Sequence, residues 1–282
     1  MYKKIPVSII VLTKNEEIHI RRCLESVHFA DEVFVVDSGS SDDTKKIATE
    51  LGAHTIDFKW NGQLPKKKNW CLLNLPIKNE WVIMLDADEE VPPSAIQDIE
   101  TIVASACPYA AYIVRFNYFF LNKIIRHGDP VRKLIFFKHK HARFTDFDDY
   151  PDREVEGSEQ PKIDGRIGIF PRPFIHRNLK GISEFFARHN AYSTRAAYLI
   201  YDKKRISPEL EGNKDNIIIK NRMLLKNIFA RLPFRPLLYF IYGYIIKLGF
   251  LDGKAGFYYN MCKAFYYFQL EVKLYEMRIK SR

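Results

Sequence analysis

Short, wholly apolar runs alternate with amphipathic ones through the first hundred residues. VSIIVLT (7–13) and EVFVVD (32–37) are rich in β-branched residues, the pattern of strands buried on both faces. Between them, NEEIHIRRCLESV (15–27) places apolar residues at Ile18, Ile20, Cys23, Leu24 and Val27. This spacing predicts a helix with Glu16 and Glu17 in its first turn. TKKIATELGA (44–53) predicts a second helix, capped by Asp42 or Asp43 and ended by Gly52. HTIDF (54–58) is a weaker strand, PKKKNWCLLNL (65–75) a basic loop and helix, and WVIML (81–85) a further buried strand. Such alternation with short connections predicts an α/β fold: a mostly parallel sheet flanked by helices, with ligands at the carboxyl ends of the strands.

The pattern then changes. AAYIVRFNYFFL (110–121) and VRKLIFFKHKHARF (131–144) alternate loosely and read as strands or a hairpin, and Pro and Gly punctuate 150–173. From Ile182 the spacing becomes helical. The organisation expected is a catalytic domain over 1–180 and a helical, aromatic and basic C-terminal region over 181–282. The most apolar stretch, LPFRPLLYFIYGYIIKLGF (232–250), has an uncharged run of 11 residues from Pro236 to Ile246. That is well short of the roughly 20 that span a bilayer. Arg235 and Lys247 flank the run, and Tyr239, Tyr242 and Tyr244 lie within it, the composition of a helix lying in a membrane interface. Packing on the catalytic domain, or on a second subunit in a homo-oligomer, would bury the same residues.

Composition narrows the classes. A 47% apolar and 28% charged chain of 282 residues is an ordinary folded protein. Four scattered cysteines without a C-x-x-C pair argue against a disulfide framework or a zinc site and fit a reducing compartment. The opening MYKKIPVSII has too short an apolar stretch before Lys14 for a signal peptide. The net charge of +10 points to anionic partners: a membrane surface, nucleic acid or, locally, phosphorylated small molecules. Basic residues after Lys162 interleave with Tyr, Phe, Leu and Ile, which suits an interface better than a nucleic-acid arm.

Candidate chemistry gathers where strands end. The first delivers Thr13-Lys14-Asn15-Glu16, the second Asp37-Ser38-Gly39-Ser40, and the run from Trp81 ends in Asp86-Ala87-Asp88-Glu89-Glu90. Four acids in five positions repel one another unless a cation offsets them. On extended backbone Asp86 and Asp88 point the same way and can converge on one hard metal ion, with Glu89 and Glu90 as bystanders.

The three segments VSIIVLTKNE (7–16), VFVVDSGSSDDT (33–44) and WVIMLDADEE (81–90) resemble, in order and spacing, the nucleotide-sugar-binding half of family 2 glycosyltransferases. The resemblance implies a GT-A fold, Rossmann-like, and inverting transfer from a nucleoside-diphosphate sugar. DREVEG onward looks like the bacterial branch that builds lipopolysaccharide core and other surface polysaccharides. It implies that Thr13, Asn15 and Glu16 meet the nucleoside, Asp37 the base or ribose, and that the Ser38-Gly39 turn lets backbone approach the ligand. Lys68 and Asn69 match a pair near the uracil or diphosphate, while Lys66 and Lys67 read equally well as solvated surface charges. Asp86 would approach the ribose or bind metal through water, Asp88 would ligate Mg²⁺ or Mn²⁺, and His176 would complete the metal or phosphate site. For the acceptor-side base the resemblance points to Glu156, with Glu154 second, although the His-Glu pair of many relatives is missing there. The implied acceptor is lipid-linked or a lipopolysaccharide-core glycan at the cytoplasmic face of the membrane, with no nucleic acid involved.

Two other readings keep different features. A nucleotidyltransferase of GT-A-like fold should carry a glycine-rich basic loop after the first strand, where this chain has Thr13-Lys14-Asn15-Glu16. A non-enzymatic basic adaptor at a membrane surface would explain the charge but not three polar strand ends.

Overall fold

The computed structural model describes residues 4–144, 160–202, 213, 216–230 and 232–280. In chain order the elements are β1 (Ile5–Thr13), α1 (Glu17–Ser26), β2 (Ala30–Asp37), α2 (Thr44–Glu50), β3 (His54–Asp57), α3 (Lys67–Asn74), β4 (Trp81–Asp86), β5 (Glu89–Glu90) and α4 (Pro93–Ala104). There follow β6 (Tyr109–Phe120), β7 (Lys123–Ile125), β8 (Val131–Lys138), β9 (Ala142–Phe144), β10 (Pro161–Ile163), β11 (Arg166–Ile169) and β12 (Phe174–Arg177). Helices α5 (Gly181–Tyr201), α6 (Ile217–Phe229), α7 (Arg235–Phe240) and α8 (Gly253–Lys280) complete the chain. Two compact units result, one of residues 4–117, 131–144 and 160–179, the other of 118–130 and 180–280.

In the first unit the sheet runs β3-β2-β1-β4-β8-β6-β12-β5. Strands β1 to β4 pair in parallel, and β8 joins β4 and β6 antiparallel, so the sheet is mixed beyond β4. β1 is buried from Val7 to Thr13 because helices cover both its faces. Register fixes the active edge: Thr13 lies opposite Asp37, and Leu12 opposite Asp86. The three polar strand ends therefore share one edge. Trp81, Tyr112, Phe136, Phe170 and Phe174 form the aromatic core, with Trp81 and Phe136 centroids 4.8 Å apart.

Helix α1 buries Ile20, Cys23, Leu24 and Val27 as the spacing predicts, and departs from it at one step. Ile18 is exposed and His19 is buried, because His19 finds a hydrogen-bond partner on each ring nitrogen, described below. Lys66 and Lys67 are also buried, which removes the reading of them as solvated surface charges; Lys67 Nζ donates to the Thr13 carbonyl at 3.1 Å.

The second unit is built differently. β7 forms a short hairpin with the end of β6, and Phe120, Ile125, Ala255 and Tyr259 make one small core. Ala197, Leu270 and Leu274 make another between α5 and α8. The uncharged run of 232–250 is helical, α7 passing without a break into a π-helical turn, Ile241–Ile246; the helix then ends, Leu248 adopting φ 59° before a 3₁₀ turn, Gly249–Asp252. The buried Asn260 amide lies where a Cβ on Gly243 or Gly249 would stand, and its Nδ2 donates to the Gly256 carbonyl. Buried Asp252 accepts from the backbone N–H of Arg126 and His127. Arg235, expected as a flanking interfacial cation, is buried against Glu271 at 2.7 Å, and Tyr239 is buried beside Asp129.

Candidate active site

The β2 end is held by its own aspartate. Asp37 Oδ2 accepts from the N–H groups of Gly39 (2.9 Å) and Ser40 (2.8 Å), and Oδ1 accepts from the Ser40 hydroxyl. Gly39, at φ 80°, closes this turn with open space where a Cβ would stand, so backbone is accessible there. The Ser38 N–H donates to the Thr13 carbonyl. Asn15, at φ 55°, donates from its N–H to Ser40 Oγ and accepts at Oδ1 from the Ser41 N–H, knitting the first strand-end loop to the second. Asp42 Oδ1 accepts from the Thr44 N–H, and its Oδ2 from the Glu17 N–H, so it ties the starts of α1 and α2 together.

Glu16 and His19 extend this frame. Glu16 Oε2 is 2.6 Å from His19 Nδ1, while His19 Nε2 accepts from the Leu179 N–H at 2.8 Å. An acceptor-only Nε2 puts the proton on Nδ1, directed at Glu16. Lys68 and Asn69 lie against Phe144: the Lys68 ammonium is 5.5 Å from the ring centroid, and the Asn69 amide pairs with both the N–H and the C=O of Phe144. Thr13 Oγ1 is buried with no hydrogen-bond partner among the described residues.

The acidic run divides into separate partnerships, because the strand ends at Asp86 and a turn over Ala87 and Asp88 breaks the alternation. Asp86 Oδ2 accepts from Lys133 Nζ at 2.6 Å. Burial opposes its charge, but the Lys133 and Lys68 ammoniums outweigh this and hold the carboxyl below its usual range. Asp88 is buried, and its Oδ2 accepts from His176 Nε2 and Asn178 Nδ2, each at 2.9 Å. Burial again opposes ionisation, and the His176 and Asn178 contacts overcome it, so Asp88 stays charged.

Glu89, expected as a bystander, is fully buried. Its Oε1 accepts from Lys133 Nζ at 2.6 Å and its Oε2 from the Asp86 N–H at 3.0 Å. Burial, assisted by the Asp86 charge, raises its pKa despite Lys133. Glu90 accepts from Arg177 Nε at 2.7 Å. β12 pairs with β5 so that His176 lies opposite Glu89, which places His176 inside the sheet.

The structure thus brings Thr13, Asn15, Ser38, Gly39 and Asp37 to one edge, and Asp88 to His176. Glu154 and Glu156 lie outside the described residues. Sequence reasoning missed Asn178, which lies one residue past the end of β12 and two beyond His176; the i, i+2 spacing is the one signal that points to it, and Lys133 and His19 carry none. Among the described residues no three carboxylate, imidazole or thiol groups form a ready metal cage. The Asp88 carboxylate suits a hard divalent cation completed by substrate and water oxygens, and His176 would join it as a ligand only with Nε2 deprotonated and turned from Asp88 to the ion.

A parallel nucleotide-binding half continued by antiparallel strands, with acids at the end of β4, is the GT-A arrangement. Residues 8–154 match the family model for glycosyl transferase family 2, and the chain belongs to that family. It is 29% identical over 285 residues to an uncharacterized glycosyltransferase of Rickettsia typhi, covering 98% of this chain and 89% of the relative. It is 24% identical over 296 residues to the lipopolysaccharide core biosynthesis glycosyltransferase LpsC of Rhizobium meliloti, covering 100% and 97%. Among solved structures, glucosyl-3-phosphoglycerate synthase from Mycobacterium tuberculosis, crystallised with Mn²⁺ and UDP, is 21% identical with a TM-score of 0.32, covering 42% of this chain and 44% of that one. The protein is a glycosyltransferase, which sets aside the nucleotidyltransferase and adaptor readings.

Proposed function

We propose that the protein is an inverting, hexosyltransferase-type enzyme moving a sugar from a nucleoside-diphosphate donor to a lipid-linked or lipopolysaccharide-core glycan. The observation that carries this is the shared edge of β1, β2 and β4, with an ionised, buried Asp88 held by His176 and Asn178. Thr13, Asn15, Glu16, Asp37, Ser38 and Gly39 line the nucleoside side, and Lys68 and Asn69 its far wall. Asp86 faces the ribose. Asp88 and His176 hold Mg²⁺ or Mn²⁺, which when bound supplies Lewis-acid neutralisation of the departing diphosphate. Glu156, or Glu154, takes the acceptor hydroxyl proton as that oxygen attacks the anomeric carbon. The likeness to LpsC supports the lipopolysaccharide-core acceptor.

The C-terminal region over 181–282 presents the protein to an anionic membrane surface at the cytoplasmic face. Phe234, Ile246 and Leu225 are 75%, 64% and 67% exposed, in a region rich in Lys and Arg. Among the described residues no helix is long and apolar enough to cross a membrane. The test is metal-dependent turnover of a UDP-, GDP- and dTDP-sugar panel by wild type and by Asp88→Asn. Turnover with one donor class that collapses in the variant is expected. Equal turnover in both would remove Asp88 from the reaction.

A further inference from the structure

We propose that Lys133 is a tethered counter-cation for Asp86, keeping that carboxylate out of the metal's coordination and free for the donor, so that a single divalent ion binds at Asp88. This rests on the metal reading of the site given above. Lys133 Nζ lies 2.6 Å from Asp86 Oδ2 and 2.6 Å from Glu89 Oε1, and 5.4 Å from the Phe116 ring centroid. Its side chain is 18% exposed and that of Glu89 only 1%, so the ammonium is anchored on a buried acid, while the Asp86 side chain, 46% exposed, keeps an open side. Glu89 in turn accepts from the Asp86 N–H, so one buried acid fixes both the backbone of Asp86 and the ammonium that its side chain meets.

The arrangement answers the repulsion of the acidic run with two different cations. Asp88 reaches towards His176 and Asn178, and Asp86 towards Lys133. A lysine on β8 supplies a fixed positive charge beside Asp86 without using a metal coordination position. Its donor-side consequence follows: Asp86 presents an oriented carboxylate to the sugar nucleotide rather than a second anionic ligand to the ion. Removing the ammonium exposes Asp86 as an additional hard oxygen ligand, and metal affinity rises with the number of such charges.

Mn²⁺ binding to the full-length, nucleotide-free protein, measured by calorimetry or electron paramagnetic resonance, tests this. Lys133→Met should bind Mn²⁺ more tightly than wild type, on the order of fivefold, from the lost ammonium and the gained carboxylate ligand. Lys133→Gln, which is neutral but polar and shorter, should show the same gain where the methionine variant does not fold. Lys133→Arg, which keeps the charge, should stay near wild type, and adding Asp86→Asn to Lys133→Gln should abolish the gain. Equal or weaker Mn²⁺ binding in both neutral variants would overturn the role of Lys133. Mn²⁺ binding unaffected by Asp88→Asn would instead overturn the metal placement itself.

Discussion

Asn69→Ala separates two roles for one residue. The Asn69 amide, 6% exposed, donates from Nδ2 to the Phe144 carbonyl at 2.6 Å and accepts at Oδ1 from the Phe144 N–H at 2.8 Å. Truncation removes both bonds and leaves a buried N–H and C=O without those partners. At about 1–3 kcal/mol for each of the two orphaned groups, the loss is about 2–6 kcal/mol. For a unit of this size each kcal/mol lowers Tm by about 2–4 °C, so a fall of about 4 to 24 °C is expected. Phe144 is also where the chain enters the segment carrying Glu154 and Glu156. Misplacing that entry should lower kcat by about tenfold or more and change the donor KM much less. Chemical denaturation and steady-state kinetics with the identified donor are the assays. A variant of wild-type stability whose donor KM alone rises would refute the staple argument and make Asn69 a donor ligand.

Three further outcomes are expected. Glu32 is buried and accepts from Ser8 Oγ at 2.6 Å and the Lys78 N–H at 3.0 Å; burial opposes its charge, but these bonds hold its pKa below the usual value. A depressed folded pKa contributes stability above the unfolded value of about 4.3 and loses it as pH falls through the folded one. Glu32→Gln should therefore melt lower than wild type at pH 7, with the gap closing below about pH 4; a pH-independent gap in thermal melts would refute this. Thr13→Val removes a buried hydroxyl that lacks a partner among the described residues, so stability should hold or rise while donor affinity by calorimetry falls severalfold. Unchanged donor affinity would take Thr13 out of the donor site. Phe234→Ser with Ile246→Ser should weaken co-sedimentation with phosphatidylglycerol vesicles by about tenfold or more, since each large side chain contributes about 1.5–3 kcal/mol when buried. Undiminished sedimentation would remove the membrane-surface reading.

The strands and their polar ends are legible in the sequence because local rules govern them. A parallel strand buried on both faces reads as a nearly continuous apolar run, and the polar cluster at its carboxyl end marks where it leaves the sheet, as at Thr13, Asp37 and Asp86. The acidic run is read less well because its partners come from distant strands. Lys133 reaches Asp86 and Glu89 from β8, beyond β4 in the sheet, and no local pattern announces that pairing. Glu89 looks solvated until that ammonium is present. His19 defeats the periodicity for the same reason: a polar residue takes a buried position once Glu16 and Leu179 satisfy both nitrogens. The end of the helix within 232–250 depends on the Asn260 amide crowding Gly243 and Gly249 from α8, which an apolar run cannot reveal.

That amide has a consequence for how the C-terminal unit keeps its shape. Asp252 ties its turn to Arg126 and His127 through hydrogen bonds, Asn260 packs its amide against Gly243 and Gly249, and the apolar cores nearby are small. Many large side chains are left facing outward as a result. A scaffold fastened by polar rivets can trade one apolar or aqueous surrounding for another without dismantling its frame. Detergent should then act on this protein as a substitute solvent for its outer face, keeping it dispersed without loosening its fold.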